Sequence, residues 1–537
     1  MNLQEKLDVA RQCHRDGRLR EAERLYREIL EVAPNHAEAL YLLGTLAYRA
    51  GHLETAEELI GQAARVDPEY AEAHFSLGNV YKAQGKPEQA VAAYRRTIEL
   101  FPSASPAHYN LALALDDAGR TEDAVASYRS ALALSPDDAD AHFNLANALQ
   151  RLGRLDEAAA SYRRATEFEP KHALAHNNLG IALKNLGRLD EAVASYRKAL
   201  AVDPKYAPAL NNLGIALKNL GRLDEAVASY RKALAIDPHY AQAHNHLGIA
   251  LVEQGAMESA AVCFQEAVRI DPGYAEAHNN LAGVFGNLNR IDEAVASYTR
   301  TVELDPSQTG AKHMLAALTG QRTETVPIDY VKNLFDQTSA RFDKQLVDDL
   351  GYHVPEKLRH ALDGHLGTGI RFKNALDLGC GTGLSGAAFR AICDRLTGID
   401  IAPKIIEIAR AKNIYDALRT GEIVAFLKSA PEKYDLFIAT DVFMYLGKLE
   451  PLFEALPHCA VDGAYLAFGT ESCEGEDYVL RPTGRFAQSR AYIQTLAGRF
   501  GFAVEQCRES EVRKEKDQYI MGDLFILKYT SISKGLG

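Results

Sequence analysis

The same 25 residues, NNLGIALKNLGRLDEAVASYRKALA, run from Asn177 to Ala201 and again from Asn211 to Ala235, an offset of 34. The duplication belongs to a longer register. Units begin at Leu3, Ala37, Ala71, Ser105, Ala139, Ala173, Ala207, Ala241 and Ala275, and the ninth ends at Gln308, with no insertion or deletion. A fixed period constrains the fold strongly, because each unit has to be one small structure that buries its apolar face only against its neighbours. In the unit from Ala173, Leu179, Gly180, Leu183 and Leu186 recur at helical spacing. Gly187-Arg188 ends this first helix, Asp190 is expected to cap the next, and Asp203-Pro204 stops the second. The second helix is expected to bury Ala192, Tyr196, Ala199 and Leu200, with Gly180 and Ala192 small enough for close approach. Thr309 to Leu318 reads as a terminal capping helix.

A helix–turn–helix unit of this period resembles the tetratricopeptide repeat, TPR. Over the nine units, and no further, the array resembles the superhelix of O-linked N-acetylglucosamine transferases. The sixth position of successive units is Asn110, Asn144, Asn178, Asn212, His246 and Asn280. These are expected to line a concave groove, and the resemblance implies that such a line holds a protein or peptide, an amide offering both donor and acceptor to an extended backbone. The other reading is that they solvate the groove or bond neighbouring helices. His74, His108, His142, His176, His244 and His278 share the fourth position. They are read as packing residues and not as a metal ladder, because metal ligands lie within about 4 Å of one another whereas packed helices are about 8–10 Å apart.

Of the 537 residues, 47% are apolar and 25% charged, ordinary for a globular chain. A formal net charge of -12 argues against a nucleic-acid partner held through phosphates. No apolar run nears the ~18 residues that span a bilayer, and MNLQEKLDVARQCHRD lacks a secretory signal's apolar core. Seven scattered cysteines, none in C-x-x-C, indicate neither a disulfide framework nor a zinc site, so a cytoplasmic protein without a metal is expected.

After Gly320 the pattern changes. GQRTETVPI reads as a short polar linker, and from Phe372 strand-like runs alternate with helical ones: ALDLG, RLTGID, YDLFIAT, GAYLAFG, FAVEQC and DLFILKY. Alternation of this kind predicts a mostly parallel sheet covered by helices, with the last two strands an antiparallel pair. Asp377-Leu-Gly379-Cys380-Gly381-Thr-Gly383 places an acid and alternating glycines on a strand-to-helix turn, where a backbone without Cβ atoms can approach a ligand. The next strand ends at Asp400, where a carboxylate can accept from both hydroxyls of a ribose. Gly381-x-Gly383-x-x-Gly386 also satisfies the nicotinamide-type motif, but that match leaves out the acid before it.

The string DLGCGTG resembles motif I of class I S-adenosylmethionine-dependent methyltransferases. FDQTSARFDKQLVDDLGYHVP, LTGIDIAP, AKNIYDAL, ATDVFMYLGKLE and YVLRPTGRFAQSRAYI are similar to bacterial TPR-containing methyltransferases, whose methyltransferase half is similar to the Williams–Beuren-region methyltransferase-like proteins. The resemblance implies an all-α TPR superhelical solenoid followed by an α/β class I fold, a Rossmann-like, seven-stranded sheet with one antiparallel strand. The expected divisions are 3–308 for the nine repeats, 309–327 for capping helix and linker, 328–366 for helices that cap the cofactor, and 367–530 for the methyltransferase domain. The implied cofactor set is Asp377, Gly379, Cys380, Gly381, Gly383, Asp400, Ile401, Glu422, Ile423 and Asp441, with Asp377 orienting the methionine amino group, Asp400 the ribose, and Glu422, on the third strand, beside the adenine. Candidates on the acceptor side are Asp441, Tyr445, Glu471 (base or helix cap) and Arg485 (partner of an acidic substrate group or surface ion pair). Phe335, Arg341 and Phe342 are cofactor cover or core. Family members often have GRYAHS where this chain has Gly484-Arg485-Phe486-Ala487-Gln488-Ser489, so a histidine base at that place would be missing here.

Overall fold

The computed structural model describes residues 2–338, 351–515 and 518–531, which places Arg341 and Phe342 outside the described residues. The chain divides into two units, Met1–Ile270 and Asp271–Gly537.

In the first unit each repeat is a 13-residue helix and a 14-residue helix, as in Ala173–Asn185 and Leu189–Val202. Gly187 turns the chain between them at φ 76°, a left-handed conformation that suits glycine. Asp190 does not cap the second helix. Arg188 occupies the N-cap position without a side-chain bond, and its Nε donates to Glu191 Oε1 at 2.7 Å. Asp190 lies inside the first turn, where its negative charge favours the helix N-terminus. Ala192, Tyr196 and Ala199 are fully buried, and Leu200 is half-buried.

A Cβ on Gly180 would lie 2.5 Å from the Tyr196 ring, so the glycine is the notch in which that ring nests. Equivalent units hold Ala112 opposite Tyr128 and Ala146 opposite Tyr162, which shows that the ring can give by a methyl. Gly180→Ala is therefore expected to leave the thermal melt of the full chain nearly unchanged, the clash offsetting a gain of about 1 kcal/mol in helix propensity. Gly180→Leu, which that ring cannot accommodate, is expected to lower it.

The fourth-position histidines do more than pack. Each ring Nε2 meets the carbonyl of the proline six residues earlier, from 2.9 Å at His108–Pro102 and His142–Pro136 to 3.3 Å at His278–Pro272. Each thus ties a helix to the turn that precedes it.

The second unit opens with the ninth repeat, Ala275–Asn287 and Ile291–Leu304, and the capping helix Thr309–Leu318. Helices Ile328–Thr338 and Val354–Leu366 follow. Among the described residues nine strands come next: β1 Phe372–Leu378, β2 Cys393–Asp400, β3 Ala417–Thr420, β4 Tyr434–Ala439, β5 Ala460–Glu471, β6 Tyr478–Leu480, β7 Phe486–Gln488, β8 Phe502–Glu515 and β9 Gln518–Tyr529. Seven form one sheet in the order β3-β2-β1-β4-β5-β9-β8. Strands β1 to β5 run parallel, β9 is antiparallel to both β5 and β8, and β6 and β7 form a separate hairpin. The sheet with one antiparallel strand expected from the sequence is therefore the one observed.

Its central strands read as continuous apolar runs because both faces are covered. Leu436 and Ile438 of β4, with Leu524 and Ile526 of β9, join one core, while Phe437 and Ala439, with Phe525 and Leu527, join the other. Two segments before the sheet are tied to it. The polar linker makes one isolated antiparallel bridge, Thr325 to Leu446, to the loop after β4: Val326 N donates to Tyr445 O at 3.1 Å, and Gly447 N and Lys448 N donate to Glu324 O at 3.0 and 2.8 Å. On the capping helix His313, 2% exposed, bonds the Gly484 carbonyl through Nε2 at 2.8 Å.

Candidate functional site

A cavity of about 340 Å³ opens at the carboxyl ends of β1, β2 and β4, the edge where parallel sheets receive ligands. Gly379 and Gly381 of the glycine turn form one side, whereas Gly383, expected with them, is not on the wall. Gly379, Gly381 and Gly383 have φ of 66°, 52° and 96°, so any side chain there would be strained. At Gly379 a Cβ would also stand 2.4 Å from Val442, whereas at Gly381 it would project into open space. The turn is pinned by Asp400, 8% exposed, whose Oδ2 accepts from Gly381 N at 3.0 Å and Oδ1 from Ala402 N at 2.9 Å. Cys380, Asp400, Ile401, Glu422, Ile423, Asp441 and Tyr445 are all on the cavity wall. The strap Glu324–Val326 and Phe335 line it as well, with the Phe335 ring edge-on to Tyr445 at 5.6 Å.

Three placements differ from the sequence reading. Glu422 is not on β3, which ends at Thr420; it is the N-cap of the helix Ile423–Ser429, and its carboxylate accepts from Val424 N at 2.8 Å and Ala425 N at 2.6 Å. Asp377 is fully buried and is not on the cavity wall. Its Oδ2 accepts from Ser385 Oγ at 2.5 Å and Tyr415 OH at 2.7 Å, and burial pushes its pKa up to about 6 although both hydroxyls oppose the rise. Glu471, 1% exposed, is also off the wall. Arg513 donates to its Oε1 at 2.7 Å and Arg481 lies 3.3 Å from its Oε2, so it is an ion-paired anchor rather than a base or a cap.

Asp441 is half-buried on the wall. Desolvation raises its pKa to about 6, against the pull of the Arg485 guanidinium. Desolvation likewise raises Tyr445, again opposed by Arg485. Arg485 itself is off the wall and acts on it through charge. Gln488, 1% exposed, donates through Nε2 to the carbonyls of Phe443 at 2.9 Å and Leu446 at 2.7 Å. It holds the turn that carries Tyr445, a task for which a primary amide has two donors on one atom and a neutral imidazole one.

In the first unit the sixth-position residues are half-buried and reach back one repeat. Asn110 donates to Asn79 Oδ1 at 3.2 Å, Asn144 to Tyr109 OH at 2.8 Å, Asn178 to Asn147 Oδ1 at 3.3 Å and Asn212 to Asn177 Oδ1 at 3.0 Å, while His246 Nδ1 meets Asn211 Oδ1 at 2.8 Å. One donor of each amide is thus engaged between repeats. Asn280 lies in the second unit, on Ala275–Asn287.

Comparison with known proteins agrees with both halves. A tetratricopeptide repeat model matches residues 15–60, 41–105, 75–139, 109–173 and 143–207, and further repeat models match 195–228, 216–255, 248–289 and 275–308. A methyltransferase domain model matches 376–466. The ubiquinone biosynthesis O-methyltransferase of Shewanella halifaxensis is 23% identical over 181 residues, 31% of this chain and 69% of the relative. That of Shewanella pealeana is 24% identical over 138 residues, 24% of this chain and 51% of the relative, so the chain spans about half of that protein's length. Among solved structures, YrrB, described as a TPR protein with an unusual peptide-binding site, is 23% identical with a TM-score of 0.30 over 35% of this chain and 96% of its own. Among the described residues no helix is long and apolar enough to cross a membrane. The chain is therefore built of tetratricopeptide repeats followed by a methyltransferase domain.

Proposed function

We propose that the second half is a class I S-adenosylmethionine-dependent methyltransferase and that the repeats recruit or orient a protein or peptide for it. The cavity bounded by the glycine turn and Asp400 carries this reading. The residues suit the cofactor. Gly381 leaves open the space next to the turn, Asp400 on the wall is a carboxylate of the kind that accepts from a ribose diol, and Ile401 and Ile423 offer apolar walls to an adenine.

The chemistry the cofactor supplies is a methyl group already activated on a sulfonium. The chain has to hold an acceptor in line and take its proton. Asp441, on the wall, is the group able to hold a proton near neutral pH. Asp441→Asn is expected to slow transfer about 10²–10⁴-fold with little change in cofactor affinity. As the base, Asp441 works deprotonated, so turnover is expected to rise with pH through about 6.

A second reading, a small-molecule acceptor with the repeats serving another partner, is favoured by the names of the two Shewanella relatives. The test is transfer of tritiated methyl into lysate by the intact chain. Label in protein bands supports recruitment, and label confined to small metabolites supports the second reading. If calorimetry detects neither S-adenosylmethionine nor transfer, the second half is a non-catalytic scaffold.

A further inference from the structure

Tyr415 was absent from every set of site residues read from the sequence, yet it fills the space directly behind the glycine turn. A Cβ on Gly386 would lie 2.4 Å from its ring, one on Gly398 of β2 3.0 Å, and one on Gly383 3.2 Å. Three glycines, two on the turn and the helix it opens and one on β2, therefore leave one hollow, and one aromatic ring occupies it. The hydroxyl ends 2.7 Å from Asp377 Oδ2, the oxygen that also accepts from Ser385. Among the described residues Asp377 Oδ1 is buried without a hydrogen-bond partner. So the acid at the end of β1 is turned into the protein, toward the loop before β3 and away from the cavity wall.

We propose that Tyr415 is a positioning residue for the glycine turn: its ring sets the spacing of Gly383, Gly386 and Gly398, and its hydroxyl holds Asp377 as a brace behind the turn, out of the cavity. The brace follows from the geometry alone; its effect on S-adenosylmethionine rests on the function proposed above.

The groups that face Asp377 are Asp400 at the end of β2, Cys380 after β1, Cys393 at the start of β2, Tyr352 before the helix Val354–Leu366, and Tyr415 itself. Burial and the Asp400 charge raise the acid, and the donated hydrogen bonds lower it. The sign follows. A carboxyl whose folded pKa is raised contributes stability at low pH that is lost as pH rises through the folded pKa. Relative to Asp377→Asn, the native chain is thus expected to lose melting temperature as pH rises, levelling off near 6.

The experiment compares the full chain and Tyr415→Phe, each with and without Asp377→Asn. The first readout, without cofactor, is the pH at which the difference in melting temperature levels off. The second is the affinity for S-adenosylmethionine by calorimetry. Tyr415→Phe keeps the ring and removes the donor, so the levelling pH is expected to move upward and affinity to fall about tenfold, as for one lost hydrogen bond to a charged group. An unmoved levelling pH overturns the brace. A moved one with no cofactor binding by the native chain keeps the brace and removes the methyltransferase reading. A moved one with unchanged affinity overturns the positioning role.

Discussion

Asp400→Ala is expected to weaken S-adenosylmethionine binding at least about a hundredfold, or roughly 3 kcal/mol. The carboxylate has two tasks that alanine cannot share. It accepts from Gly381 N and Ala402 N, and so joins the glycine turn to the end of β2. It also lines the cavity, where hydrogen bonds from a ribose diol would be charge-assisted, each contributing about 1.5–3 kcal/mol. Removal leaves both amides seeking partners, and Gly381 is then free to leave its left-handed conformation at φ 52°. Asp400→Asn keeps one acceptor oxygen and is expected to fall between the two. Calorimetry on the three proteins decides it, and equal affinities would remove the ribose assignment.

The second large effect concerns where the methyltransferase half begins. A cut at residue 320 follows the sequence pattern, but the structure divides at Ile270 and Asp271. The capping helix lies across that half. His313 bonds Gly484 O, Met314 packs where a Cβ of Gly484 would be, and the His313 ring sits 5.9 Å from Tyr330 and 6.2 Å from Phe486. Residues 321–537 alone would lose the bond to the Gly484 carbonyl, at about 0.5–1.5 kcal/mol, and leave Phe486 and Tyr330 uncovered, at about 1.5–3 kcal/mol more. At about 2–4 °C per kcal/mol, this fragment is expected to melt roughly 10 °C below residues 271–537. The longer fragment is expected to bind cofactor as the full chain does but to label protein acceptors poorly. If it labels them as well as the full chain, the first eight repeats do not recruit substrate.

The repeats were legible almost to the residue, because a local period writes the same helix pair each time, and Thr309–Leu318 followed from the same spacing. The glycine turn and Asp400 were legible because their signal lies within one strand-to-helix connection. TGEIVAFL misled because a short apolar run does not distinguish a strand from a helix start, and Glu422 proved to be a helix cap. Glu471 could not be read as an anchor, since its arginines come from positions 481 and 513. Gln488 stands where the resemblance implied a histidine, and only the carbonyls of Phe443 and Leu446 show what its amide is for.

By itself, then, the sequence determined the repeat, the alternation of strands and helices that makes a mostly parallel sheet, and the turn that can receive a ligand, all set by contacts between near neighbours along the chain. Tertiary structure alone decided that Asp377 faces inward to Tyr415, that the segment after the repeats lines the cavity, and that the capping helix belongs with the sheet. Those outcomes depend on which distant residues the folded sheet brings within hydrogen-bond reach, a property of topology that no short stretch of residues contains.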